Sequence, residues 1–288
     1  MPARMTRWIG CGFCTVSAIL IGLAGCHKND SDANKDTAKA NAQVEVRKDN
    51  QGKTIEAQPV GLAKGPKLPA FKDSVILDDP PEGEIQPPNV TYTRKNAIKI
   101  FETIANDLWD KVTFTNDDGK PIKYRAIIAT ELGDIHVNLF GDAAPNHVRS
   151  FVCLAKAGYY DGTHFYYRFH GKVEDTDISF IEAGCPRGTG EVGSGSIGYW
   201  LRPEVSPKLT HDEGVLGASL GCDPNSAACR FYITAVPTPA MDGSFTIFGK
   251  VTQGLDVVRT INKREVRDLD LLVKPVLIKS VTIRTVSD

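Results

Sequence analysis

The 288-residue chain carries almost no net charge, −1 from 34 Lys and Arg against 35 Asp and Glu. That balance argues against a bulk nucleic-acid binder, which needs surplus cations to neutralise phosphates. No internal repeat is present, which argues against architectures built by stacking repeats. The six histidines are scattered, and no set of cysteines and histidines stands together at zinc-site spacing, so no metal centre is expected. A spanning hydrophobic segment is also missing. The most apolar run, Trp8 to Leu23, is broken by Gly10, Gly12, Thr15 and Ser17 and falls short of the about 20 apolar residues that a membrane helix requires. What is there, 41% hydrophobic and 24% charged residues, suffices for one good core with appendages.

The amino terminus reads as an export signal. Arg4 and Arg7 make a basic start, and the apolar run closes on Leu23-Ala24-Gly25-Cys26. This closure resembles the lipobox of bacterial lipoproteins. The resemblance implies cleavage before Cys26, lipidation of Cys26, and a mature protein held to a membrane by lipid on the exported side of the cell envelope. The following HKNDSDANKDTAKANAQ has almost no large apolar residue and cannot offset its ordering entropy, so a disordered tether is expected. The Pro-rich pieces KGPKLPAF, DDPPEGE and QPPN favour extended conformations that stiffen the spacer. Asn96 to Trp109 then has Ile100, Phe101, Ile104 and Leu108 on one side of a helix. Cys222 and Cys229 bracket the turn-rich DPNSAA. In an exported protein a disulfide there would stabilise by roughly 2.5 kcal/mol, the alternative being two buried thiols.

Residues 124–169 organise the rest. Tyr124 to Thr130 is apolar and β-branched, Gly133 and Asp134 supply a turn, and Ile135, Val137 and Leu139 alternate with His136 and Asn138 as in a half-buried strand. Pro145 suits a first helical position, Val148, Phe151, Val152 and Ala155 recur at helical spacing, and Gly158 suits the residue beyond the helix end. The run LFGDAAPNHVRSFVCLAKAGYYDGTHF resembles the signature of cyclophilin-type peptidyl-prolyl isomerases. The resemblance continues through Phe180-Ile181-Glu182-Ala183-Gly184-Cys185, Gly188-Thr189-Gly190, Gly214 to Ser219, Cys229 to Thr234, and Met241-Asp242-Gly243 through Phe248 to Val251. It implies a mainly β fold, a closed eight-stranded antiparallel β-barrel with capping helices. The chain then divides into a leader (1–25), a lipid-anchored flexible linker (26–90), a helical segment (91–118) and the cyclophilin-like domain (119–288).

The family's chemistry needs no nucleophile and no cofactor. An apolar pocket holds a proline ring while a cation or donor favours the twisted peptide bond, whose nitrogen has regained its lone pair. The expected partners are proline-containing or partly folded polypeptides. Carried over position by position, the resemblance implies a pocket of Phe180, Ile181, Ala183, Ser219, Arg230, Phe231, Tyr232, Met241 and Phe245. Ile181 stands for a family Met, Ala183 for a Gln, Ala240 for a Trp and Phe245 for a His. An ungapped reading from Phe165 puts Tyr167 at the family's catalytic Arg, whereas one extra residue in the preceding turn brings Arg168 there. Arg168 is taken as the donor, with Arg230 as the substitute. Residues 170–179 lengthen a short family connection into a longer loop beside the pocket. Two functions follow, an isomerase acting on envelope proteins, or a non-catalytic module that binds peptide or protein. Gly188-Thr-Gly190-Glu-Val-Gly193 also fits a dinucleotide fingerprint, but the glycine-rich stretch after it cannot open the required helix, so no nucleotide is expected.

Overall fold

The computed structural model describes residues 47–48, 54–55, 69–173 and 175–286. The leader, Cys26 and most of the tether lie outside the described residues. A short ladder pairs β1 (Arg47–Lys48) with β2 (Thr54–Ile55). Next come helix α1 (Pro69–Ser74), β3 (Val75–Ile76) and helix α2 (Ala97–Thr103), which runs on through a π-helical turn (Ile104–Leu108) and a 3-10 turn (Trp109–Lys111). The barrel strands are β4 (Lys123–Thr130), β5 (Gly133–Leu139), β6 (His164–Val173), β7 (Thr176–Ala183), β9 (Val215–Ala218), β10 (Phe231–Thr234), β11 (Ile247–Gln253) and β12 (Leu271–Val286). Between them lie helix α3 (Pro145–Lys156), β8 (Trp200–Leu201) and helix α4 (Leu255–Asn262). The eight strands close in the order β10-β7-β6-β12-β4-β5-β11-β9, every pair antiparallel. Closure leaves no unpaired edge and fills the interior with side chains.

Alternation supplies that filling. Ala126 and Ile128 of β4, Ile135 and Val137 of β5, and Phe231 and Ile233 of β10 are all buried in one core cluster. From α3, Phe151 reaches Tyr160, Phe231 and Phe248 at ring-centroid distances of 5.0, 5.5 and 5.6 Å. Helix α3 opens on Pro145, but Ala144 before it has no side chain able to cap. Glu204 caps it from far along the chain, accepting from the backbone N–H of Asn146 (3.0 Å) and His147 (2.9 Å) and from His147 Nδ1 (2.6 Å). Burial would raise the Glu204 carboxyl, but His147 and the two N–H groups outweigh it and hold it below the usual carboxylate range. At the other end Gly158 takes φ +68°, the left-handed turn for which glycine is favoured.

Two expectations are corrected. The linker does not extend to residue 90, because residues 69–95 form a strap packed on the domain. Phe71 is fully buried, its ring 5.7, 5.0 and 5.4 Å from those of Phe101, Trp109 and Tyr199. β3 pairs with β8, and Ile85 and Tyr92 donate backbone hydrogen bonds to Gly193 and Pro186. Lys95 Nζ ends the strap among the carbonyls of Gly158, Tyr159 and Asp161, just beyond α3. Of the three Pro-rich pieces, KGPKLPAF opens helix α1 at Pro69, whereas DDPPEGE and QPPN run outside helix and strand, and a few widely spaced apolar anchors hold them. The Cys222–Cys229 bridge is also not formed. Cys222 packs beside Gly83 of the strap, whereas Cys229 is buried in the core, where burial raises its thiol to about 12. The loop between them closes instead through Ser226 Oγ, which accepts from Gly221 N at 2.6 Å.

Candidate active site

Strand β7 divides its side chains between two environments. Ile181 and Ala183 point into the barrel and are fully buried, while Phe180 and Glu182 occupy the other face. Strand β10 repeats the division in register, Phe231 opposite Ala183 in the core and Tyr232 opposite Glu182 outside it. An open pocket of about 480 Å³, mouth included, lies on that outer face. Its apolar wall is Phe180, Tyr232, Met241 and Phe245. Tyr232 sits 5.4 Å from Phe180 and meets Phe245 edge-on at 6.1 Å. Ser219 and Leu220, just after β9, line it too.

Of the residues expected here, Phe180, Ser219, Tyr232, Met241 and Phe245 are brought together. Ile181, Ala183 and Phe231 are not. Strand alternation turns them into the barrel core.

The cations are corrected as well. A bulge between Phe165 and Tyr167 resets the face of β6, so Tyr167 pairs with Glu182 and Arg168 with Ile181. Tyr167 then lies on Phe180's side, 6.1 Å ring to ring, as the ungapped alignment has it. Arg168 does not line the pocket, and its Nε donates to the Arg264 carbonyl at 3.1 Å. Arg230 is buried and bound to Glu182, with Nε and Nη2 both on Oε1 at 2.8 and 2.7 Å. The same oxygen accepts from Tyr166 Oη at 2.5 Å. Burial would lower the Arg230 guanidinium, but the Glu182 carboxylate more than offsets it and keeps the cation charged.

Four pocket residues besides Leu220 were missed. Phe169, Val173 and Ile178 come from residues 169–173 and 176–179, which are not a loop but the paired ends of β6 and β7. They join Tyr232, Met241, Phe180 and Phe245 in a hydrophobic cluster separate from the barrel core. Glu182 was the fourth. Period-2 alternation from Phe180 would have placed it on the pocket face.

A hydrogen-bonded relay fixes the pocket wall. Asp242 Oδ1 lies 2.7 Å from His211 Nδ1, and His211 Nε2 lies 2.8 Å from Tyr232 Oη. The phenol needs this partner because it is buried. It also needs Gly217, where an added Cβ would come within 2.2 Å of Tyr232 Oη. Burial pushes the His211 pKa below its ordinary value, against the opposing pull of Asp242.

The sign of the resulting pH dependence follows. The unfolded chain takes up the His211 proton first, near its ordinary pKa of about 6.5. The stability linked to this group is therefore present above about pH 6.5 and is lost as pH falls below it, by at most about 1.4 kcal/mol per pH unit. Urea unfolding of wild type and His211→Gln between pH 7.5 and 5 checks this. Wild type is expected to be the more stable at pH 7.5 and to lose that advantage on acidification, whereas parallel curves would contradict the assignment.

Residues 125–283, more than half of the chain, match the family described as cyclophilin type peptidyl-prolyl cis-trans isomerase/CLD. Peptidyl-prolyl cis-trans isomerase-like 1 of Rhizopus delemar is 36% identical over 153 residues, 52% of this chain and 88% of that one. Peptidyl-prolyl cis-trans isomerase ppi1 of Schizosaccharomyces pombe is 34% identical over 157 residues, 54% of this chain and 97% of that one. A Cryptosporidium parvum cyclophilin type peptidyl-prolyl cis-trans isomerase superposes with a TM-score of 0.50 at 27% identity, covering 56% of this chain and 98% of its own. On a chain folded as a closed eight-stranded barrel, these matches show that it belongs to the cyclophilin-type peptidyl-prolyl cis-trans isomerase family.

Proposed function

We propose that the pocket on β7 and β10 holds the proline ring of an unfolded or extended polypeptide and that the protein isomerises the Xaa-Pro bond slowly. The observation that carries this reading is an apolar, aromatic-walled pocket reached by no guanidinium among the described residues. Apolar contact suffices to bind a proline ring. Lowering a barrier of roughly 18 to 20 kcal/mol also requires a group that favours the twisted bond. A missing charge-assisted hydrogen bond is worth about 1.5 to 3 kcal/mol, roughly tenfold to over a hundredfold in rate if felt only in the transition state. The second reading, a module that holds proline segments without turnover, is favoured by the same observation.

Catalysed isomerisation of an Xaa-Pro peptide, with binding measured on the same samples, separates the two. Slow catalysis by wild type, unchanged in Arg168→Ala and abolished in Phe180→Ala, is the expected result. Binding without catalysis across varied peptides favours the holding module. A large loss of activity in Arg168→Ala with the fold intact would overturn the pocket geometry.

We further propose that the protein works at the cell envelope on exported clients, anchored through lipid on Cys26. Support comes from the basic start, the short apolar run and Leu23-Ala24-Gly25-Cys26. The strap at residues 69–95 would then join the domain to its anchor through the preceding segment. Cys26→Ser is expected to move the protein out of the membrane fraction or to stop its processing; an acylated, membrane-bound variant would exclude the anchor.

A further inference from the structure

The proposed function leaves the pocket without a charged donor, so the remaining polar groups at its wall decide how a peptide is gripped. Of the residues lining it, Glu182, Ser219 and Tyr232 carry polar side-chain groups. Glu182 is an acceptor already committed to Arg230 and Tyr166. Tyr232 Oη is held by His211 Nε2 at 2.8 Å. Ser219 is 5% exposed, and its Oγ is sealed from solvent with no hydrogen-bond partner. Among the described pocket residues, Ser219 therefore has the one side-chain donor not engaged within the protein.

An orphaned buried hydroxyl destabilises a fold, and one that lines a ligand pocket gains its bond when the ligand supplies the partner. The chemistry of proline names that partner. Proline has no N–H, so the backbone around its ring presents carbonyl oxygens, which accept and do not donate. A serine hydroxyl needs one rotation about χ1 to turn toward such an oxygen. We infer that Ser219 Oγ–H donates to a backbone carbonyl of the bound peptide beside its proline, fixing the peptide's orientation while Phe180, Tyr232, Met241 and Phe245 enclose the ring. This assigns a contact residue to the pocket and rests on the prolyl reading of it. It also names the substrate feature being read, an unhindered carbonyl next to proline rather than an acidic or basic side chain.

The test measures two quantities on each of three proteins, wild type, Ser219→Ala and Ser219→Thr. These are the affinity for an Ala-Pro-containing tetrapeptide and the thermal midpoint without peptide. A neutral hydrogen bond corresponds to at least about twofold and up to about tenfold in affinity. Ser219→Ala is expected to weaken binding by that factor while its midpoint stays level or rises, because no bond is lost in the free protein. Ser219→Thr keeps the hydroxyl and is expected to bind within twofold of wild type. Unchanged affinity in Ser219→Ala overturns the assignment, as does a midpoint lowered by several degrees, which would mean that the hydroxyl serves the fold. Equal weakening in both variants assigns the effect to packing and also overturns it. If wild type does not bind, the prolyl reading of the pocket falls, and this assignment with it.

Discussion

The buried ion pair between Glu182 and Arg230 is the constraint on which the site depends. Their side chains are 6% and 5% exposed, and both Arg230 contacts to Glu182 meet a single carboxylate oxygen that also takes the Tyr166 hydroxyl. Two charges removed from water gain little net stability from one another, but deleting either leaves the other buried and uncompensated, at a cost of about 3 to 5 kcal/mol. The pair therefore enforces geometry. It fixes Glu182 on the face it shares with Phe180 and Tyr232, it ties the residue before β10 to β7, and it keeps the Arg230 guanidinium out of the pocket lining. On the proposed function, a pocket beside this closed ion pair would recognise proline by shape and apolar area, with the Ser219 hydroxyl as its polar contact.

The amino-terminal strap reaches the same region from outside. Glu84 accepts from Trp200 Nε1 at 2.8 Å, and Ile85 N bonds to the Gly193 carbonyl at 2.8 Å. The glycine-rich stretch that these contacts pin lies directly against Arg230, since a Cβ on Gly195 would come within 3.3 Å of its Cδ. Glu84 itself is raised above the usual carboxylate range by burial, with Trp200 and Arg230 opposing. Strap, glycine-rich loop and ion pair are thus in successive contact. The strap is part of the domain's architecture.

The barrel was legible in the sequence because its signals are local. Ile135, Val137 and Leu139 alternate as strand β5 does, and Pro145 and Gly158 mark the two ends of α3. Phe180, Tyr232 and Met241 could be placed from the family resemblance. Facing was the weak point. A single extra residue at the β6 bulge decides whether Tyr167 or Arg168 looks toward Phe180, and periodicity cannot see a bulge. Alignment also carried Ile181, Ala183 and Phe231 into the pocket by sequence adjacency, although alternation within β7 and β10 sends them inward. Composition misjudged the strap, because a few anchors such as Phe71 and Lys95 are diluted by Pro and charge. The partner of Tyr232, His211, lies 21 residues away and leaves no local trace.

Glu182 and Arg230 thus act as one buried unit beside the pocket. A double-mutant cycle on unfolding free energy tests it most directly, using Glu182→Ala, Arg230→Ala and the double variant, with peptide affinity measured alongside. Each single variant is expected to be destabilised by about 3 kcal/mol or more. The double variant is expected to be far less destabilised than the sum of the two, with weakened peptide binding in both single variants. Additive stabilities within about 0.5 kcal/mol, or single variants that bind peptide as wild type does, would contradict it.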